Sequence, residues 1–108
     1  MYGRKITLKN TNPDDFETLR QFVHSVGQHS MHIPILKDLL QIPSFIKKSH
    51  TIEDSKDGQS FVSLIIFGDK EAADRYFNYE GVDAIWEWLK ISAEAEGLTV
   101  VDDYYGEL

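Results

Sequence analysis

The amino-acid sequence predicts an α+β fold in which a β-α-β-β-α-β chain forms an antiparallel sheet with helices on one face. Three observations predict it: β-type runs near both ends of the chain, two central β-rich runs joined at Asp57-Gly58, and two regions with helical periodicity. The 108 residues are 42% hydrophobic, which is enough for one core. We therefore expect one domain that spans residues 1–108.

The first half of the chain begins with a strand followed by a helix. Residues 5–10 alternate apolar and polar side chains, as a half-buried strand does. A side-chain cap and a proline at Asn12-Pro13 start a helix whose apolar residues recur at helical spacing up to Gly27, where we expect it to end. A short second helix is predicted over 33–40, and Pro43 ends it.

The second half of the chain predicts a hairpin, a broken helical region and a last strand. Strands over 44–53 and 59–67 flank a turn that contains Asp-Gly, a strong hairpin signal. Asp69 can cap the next helix, which is interrupted at 78–81. A longer helix follows over 82–96 and ends at Gly97, since glycine adopts a left-handed cap most readily. The last strand begins at Leu98 and leads into a polar, aromatic tail through Tyr105.

The second strand of the hairpin is apolar on both faces. Alternate positions form two sets, Phe61, Ile65 and Phe67 on one face and Val62, Leu64 and Ile66 on the other. A strand with helices on one side and water on the other needs only one apolar face. Leaving the second set in water would forfeit about 1.5–3 kcal/mol per side chain. We therefore predict a homodimer in which the face with Val62, Leu64 and Ile66 packs against a second copy.

The long helix also carries two apolar stripes. One contains Val82, Ile85, Trp86, Leu89 and Ala93, and the other contains Ala84, Trp88, Ile91 and Ala95. The first stripe should cover the sheet of its own chain. Another part of the chain or a second subunit would cover the other, and the pattern does not decide between them.

Composition and charge exclude several classes of function. The absence of cysteine excludes disulfides, thiolate metal sites and a cysteine nucleophile. The formal charge of -7 argues against nucleic acid and anionic membranes as partners. On one helix His24, His29 and His32 would not converge, so we expect no metal site. No apolar run resembles a signal peptide or a spanning helix, and we expect a cytoplasmic protein.

The chain resembles the dimeric α+β barrel superfamily, in particular its ferredoxin-like members of the antibiotic-biosynthesis-monooxygenase type. The resemblance lies in the element order, in Pro43-Ser44-Phe45-Ile46 before the second strand, and in the run 61–77 with its Gly68-Asp69 turn into an alanine- and aromatic-containing helix. It covers nearly the whole chain. It implies two sheets packed face to face across a two-fold axis and, in each subunit, a pocket between sheet and helices.

The resemblance implies several functions, because members of this superfamily include cofactor-independent monooxygenases of aromatic polyketides or quinols, heme-degrading enzymes and proteins that bind small molecules. The heme-degrading branch uses an asparagine at the end of the first strand, and Asn10 fits that place. Tyr76, however, stands where that branch has a tryptophan, and Trp86 stands where it has the heme-ligating histidine. We therefore expect no heme and no other cofactor.

We expect the pocket to bind a small, largely apolar organic molecule. The predicted ligand-binding residues are Leu8, Asn10, His24, His50, Ile65, Phe67, Tyr76 and Trp86. His50 shares strand parity with Ile46 and Ile52, so a neutral imidazole could face the pocket near Tyr76 or Asn10 and act as a general base on a phenol or enol. The alternative for His50 is a partly exposed side chain hydrogen-bonded near the hairpin.

Two other functions are compatible with the same pattern. The first is a cofactor-independent monooxygenase acting on an aromatic or quinol substrate, with His50 and Tyr76 as catalytic residues. The second is a structural or regulatory dimer with a filled core and no ligand.

Overall fold

The computed structural model describes residues 1–10, 17–31, 41–55 and 58–108. These residues form β1 (Tyr2–Asn10), α1 (Glu17–Met31), β2 (Phe45–Ser55), β3 (Gly58–Phe67), α2 (Lys70–Phe77), α3 (Glu80–Ala95) and β4 (Thr99–Glu107). Neighbouring strands are antiparallel in the order β2-β3-β1-β4, so β2 and β4 are the sheet edges. The predicted α+β fold is confirmed. The helix predicted over 33–40 and the helix start at Asn12 lie outside the described residues.

The core lies between the helices and one face of the sheet. Residues on that face of β1 and β3 alternate with less buried ones, and Ile6, Leu8, Phe61 and Phe67 are almost completely buried. Aromatic contacts connect the layers: the Phe67 ring lies 5.8 Å from Phe45, 5.3 Å from Tyr76 and 6.2 Å from Phe77, measured between ring centroids. Such tilted and edge-to-face pairs stabilise a core beyond the area that they bury.

The opposite, outer face of β3 carries the second apolar set. Val62, Leu64 and Ile66 point away from the helices and are half-buried within the protomer. Their neighbours across the strands are polar, charged or small: Thr7 and Thr51 beside Val62, Lys5 and Ser49 beside Leu64, and Gly3 and Lys47 beside Ile66. β3 therefore carries apolar side chains on both faces, as predicted. On the outer face they form a single apolar strip flanked by polar, charged or small residues.

An irregularity in β2 changes which of its residues face the helices. Phe45 pairs with Phe67, but Lys47 pairs with Ile66, so Ile46 is an extra residue in this strand. Phe45 and His50 consequently share the helix-covered face, although a regular strand would place them on opposite faces. The shared face of His50 and Ile52 agrees with the prediction. The prediction differs for Ile46, which lies at the irregularity and is 51% exposed.

Several element ends agree with the sequence, whereas β1 begins earlier than predicted, at Tyr2, and the ends of α1 and β4 also differ. Asp69 caps α2 by accepting a hydrogen bond of 2.8 Å from the Ala72 amide, and Gly97 follows α3 with a positive φ of 80°. α1, however, continues past Gly27, because burial of its apolar face offsets the roughly 1 kcal/mol that an interior glycine costs. The aromatic tail is also ordered as a strand, since β4 runs on through Tyr105 to Glu107.

The two apolar stripes of α3 have different environments. Val82, Trp86, Leu89 and Ala93 are buried against the sheet, as predicted for the first stripe. In the second stripe Trp88 packs partly against the core, whereas Ile91 is 67% exposed. Within the described ranges, no helix is long and apolar enough to cross a lipid bilayer.

Candidate functional site

A cavity of about 40 Å³ lies between the sheet and the helices. Its described lining is mostly apolar and comes from α1, α2, α3, β2 and β3: Val26, Lys48, His50, Ser63, Ile65, Tyr76, Val82, Ile85, Trp86 and Leu89. A space of this size holds a few water molecules, since each needs roughly 10–15 Å³ of such volume. A ring-sized ligand therefore needs more space than this cavity provides. In its described lining the exposed residues are Lys48 and His50, both on the edge strand β2.

The structure places half of the predicted ligand-binding residues at this cavity, namely His50, Ile65, Tyr76 and Trp86. The other four lie outside its described lining. Leu8 and Phe67 are completely buried in the hydrophobic core, and Asn10 is buried at the end of β1, opposite Gln59. His24 is exposed on the surface of α1.

His50 presents a largely neutral imidazole at the edge of the cavity. Its ring stacks on Phe61 with 5.8 Å between centroids and 15° between ring planes. This contact covers one face of the imidazole although the residue keeps an exposed edge. Burial lowers the pKa of His50 below the usual 6.5, and the charge of Lys48 lowers this pKa further. A neutral imidazole has one nitrogen that can accept a proton, which a general base requires.

Tyr76 supplies a hydroxyl donor from α2. Burial raises the pKa of Tyr76 to about 12, so the hydroxyl remains protonated at neutral pH. The side chain is 3% exposed, and its hydroxyl forms no hydrogen bond with another described residue. Among the described residues, however, no side-chain polar atom is both sealed from solvent and unpartnered. The Tyr76 oxygen therefore keeps some access to solvent-sized space, and the residue lines the cavity.

Two polar residues of the lining, Ser63 and Lys48, were missed by the sequence reasoning. Ser63 is 4% exposed and lies directly across from His50. The sequence does contain a signal for this residue, because Ser63 is polar whereas the other inward positions of β3 from Phe61 to Phe67 are apolar. Lys48 lies across from Ile65 and shares the face of His50, so the same two-residue parity could have identified it.

A charged network supports Trp86 from the side of β1 and β4. The Arg4 guanidinium lies over the indole, 4.7 Å from the ring centroid, and donates two hydrogen bonds of 2.9 Å to the Asp103 carboxylate. Lys90 on α3 also contacts Asp103 at 3.0 Å. The Arg4 hydrogen bonds are the main cause that lowers the pKa of Asp103. The network orients one wall of the cavity through paired charges and a cation–π contact.

Comparison with known proteins identifies the fold. No family model matches the sequence, and no curated protein matches it. Among solved structures, a Deinococcus radiodurans protein provisionally named an antibiotic biosynthesis monooxygenase superposes with a TM-score of 0.56 at 16% identity, covering 100% of this chain and 92% of that one. A Streptomyces coelicolor monooxygenase, solved with the ligand Nanaomycin D, has a TM-score of 0.48 at 13% identity, covering 99% and 88%.

The likeness to the Deinococcus protein, together with the strand order, confirms the predicted fold. The chain has the ferredoxin-like α+β fold that occurs in proteins of the antibiotic-biosynthesis-monooxygenase type. At this level of identity the comparison concerns the fold alone. What the chain does must be argued from its own residues.

Proposed function

We propose that the protein binds a small, largely apolar organic molecule in the cavity between sheet and helices. The observation that carries this proposal is the pair of hydroxyl-bearing residues Ser63 and Tyr76, which line a mostly apolar cavity and whose side chains form no hydrogen bond with a described residue. Buried polar groups are satisfied by protein, water or ligand. An apolar pocket with a few convergent polar groups is the usual form of a small-molecule site.

Binding can be tested with benzamide as a neutral, ring-sized probe in an amide NMR titration of the protein. We expect saturable shifts at the cavity lining in the wild-type protein. Ile85→Trp should abolish them, because Ile85 lines the cavity and the larger side chain fills it. Ile91→Trp is the matched control on the same helix, since Ile91 is 67% exposed. Equal binding by the two variants, or no shifts at the lining in the wild-type protein, would contradict the proposal.

The proposal includes a homodimer that forms through the outer face of β3. Val62, Leu64 and Ile66 support it, because they place an apolar strip at the centre of a sheet face opposite the helices. Tyr104 of β4 adds an aromatic side chain to the same face. It pairs with Lys5 of β1, which in turn pairs with Leu64. Stable interfaces bury roughly 800 Å² per partner, an area that a four-stranded sheet face can supply.

A cofactor-independent monooxygenase is the second candidate function, and the neutral imidazole of His50 favours it. In this reaction His50 would accept the proton of a bound phenol or enol, and Tyr76 would donate a hydrogen bond to the resulting oxyanion. The test is oxygen consumption with dihydroxynaphthalene-type substrates. His50→Ala should abolish oxygen uptake, whereas His24→Ala, which alters an exposed residue of α1, should retain it. Absence of uptake by the wild-type protein with every such substrate would leave binding as the function.

A further inference from the structure

The polar groups of the cavity are mainly hydrogen-bond donors. Lys48, Ser63, Tyr76 and Trp86 can each donate, and His50 can donate from one nitrogen when neutral. The described lining contains no aspartate or glutamate. Donors therefore outnumber acceptors, and the complementary ligand is one with more acceptors than donors.

Lys48 differs from the paired lysines on the surface. Lys70 contacts Asp74 at 2.7 Å, and Lys90 contacts Asp103 at 3.0 Å. Lys48 forms no ion pair with any residue in the described ranges. Burial lowers the pKa of its ammonium group, and no described carboxylate offsets that effect. This positive charge at the edge of the cavity is thus available to a ligand.

We infer that the ligand of this cavity is a small ring-bearing carboxylate. Lys48 supplies the opposite charge, and the hydroxyls of Ser63 and Tyr76 can donate to the two carboxylate oxygens. The ring lies against Ile65 and Trp86, which are buried on the same lining. This inference rests on the proposed binding function and narrows it to one chemical class.

The acidic composition of the protein does not oppose such a ligand at short range. The formal charge is -7, but charges more than about 8 Å apart are largely screened at physiological ionic strength. The groups that the carboxylate would meet are those of the lining, and in the described part of it Lys48 carries the charge. A cation at the site therefore attracts a carboxylate at short range even though the net charge of the protein is negative.

Benzoate and benzamide test the inference, because they have nearly the same shape and differ in charge. Both would be titrated into the wild-type protein and into the variants Lys48→Gln and Lys70→Gln, with affinities measured by amide NMR. Lys70 on α2 is the matched control, since its side chain is 66% exposed and it lies outside both the described cavity lining and the outer face of the sheet. We expect benzoate to bind the wild-type protein about tenfold more tightly than benzamide, through charge-assisted hydrogen bonds.

Lys48→Gln should weaken the affinity for benzoate about fivefold, as expected for a partly exposed charge, and leave the affinity for benzamide unchanged. The Lys70→Gln control should bind both probes as the wild-type protein does. Equal affinity of the wild-type protein for the two probes would overturn the carboxylate inference while leaving the binding function in place. The inference would also fail if benzoate bound more tightly but Lys48→Gln had no effect. Failure of both probes to shift the lining would instead overturn the proposed function itself.

Discussion

Replacing Tyr76 with phenylalanine separates the role of its hydroxyl in binding from any role in folding. The aromatic ring contacts Phe67 and Phe77 at centroid distances of 5.3 and 5.0 Å, and phenylalanine preserves both contacts. The hydroxyl itself has no hydrogen-bond partner among the described residues. Its removal should therefore change the free energy of unfolding by less than about 0.5 kcal/mol. If the hydroxyl were buried and hydrogen-bonded, its removal would instead lower the free energy of unfolding by about 1–3 kcal/mol.

The effect of Tyr76→Phe on ligand binding should be larger than its effect on stability. A hydrogen bond from the hydroxyl to the carbonyl oxygen of benzamide contributes about 0.5–1.5 kcal/mol, which is about 2- to 12-fold in the dissociation constant. Urea denaturation followed by circular dichroism measures the stability, and amide NMR titration measures the affinity. Unchanged affinity for benzamide combined with a stability loss above about 1 kcal/mol would refute the assignment of this hydroxyl to the cavity.

Two further predictions concern the surroundings of the cavity. Arg4→Lys should lower the free energy of unfolding by about 1 kcal/mol, because lysine loses the paired hydrogen bonds to Asp103 and the stacking on the indole. The melting temperature should fall by about 4–8 °C. An unchanged thermal melt would contradict this prediction. An NMR titration should place the pKa of His50 below 6.5, and Lys48→Gln should raise it. The pKa of this histidine is lower in the folded protein than in the unfolded chain, so the unfolded chain is protonated at a higher pH. The contribution of His50 to the free energy of unfolding is therefore fully present above pH 6.5 and declines as the pH falls through the folded-state pKa. A pKa above 6.5 would contradict the environment described for this imidazole.

The sequence predicted those features that depend on short-range periodicity. The alternation in β3 placed Phe61, Ile65 and Phe67 toward the helices, because side-chain direction in a strand follows directly from residue number. The antiparallel pairing of β2 with β3 and the end of α3 at Gly97 were also predictable, since Gly58 and Gly97 have positive φ values of 126° and 80°. These are local properties of the backbone.

Other features depended on tertiary contacts that the sequence pattern does not contain. The irregularity at Ile46 reverses the parity of β2, and it places Phe45 against Phe67 on the face that also carries His50. α1 continues through Gly27 because packing outweighs the low helix propensity of glycine.

Four of the eight predicted ligand-binding residues line the cavity, and the others do not, because the lining also depends on tertiary contacts. Tyr76 and Trp86 followed from the apolar pattern of their helices, whereas the predicted residue His24 is exposed on α1. Ser63 and Lys48 were not predicted, because serine and lysine usually occupy exposed positions and their presence in a strand does not by itself indicate a cavity. Which inward residues surround an open space depends on how the helices pack, and periodicity does not specify that.

Sedimentation equilibrium of the wild-type protein and two variants tests most directly whether the outward-facing apolar side chains of β3 are covered by another molecule. We expect the mass of two 12.4 kDa chains for the wild-type protein. Leu64→Glu should weaken association at least about 100-fold, since each copy loses roughly 1.5 kcal/mol of apolar burial, while Ile91→Glu on the exposed side of α3 should remain associated. A wild-type protein that sediments as a single chain at every concentration would contradict the account.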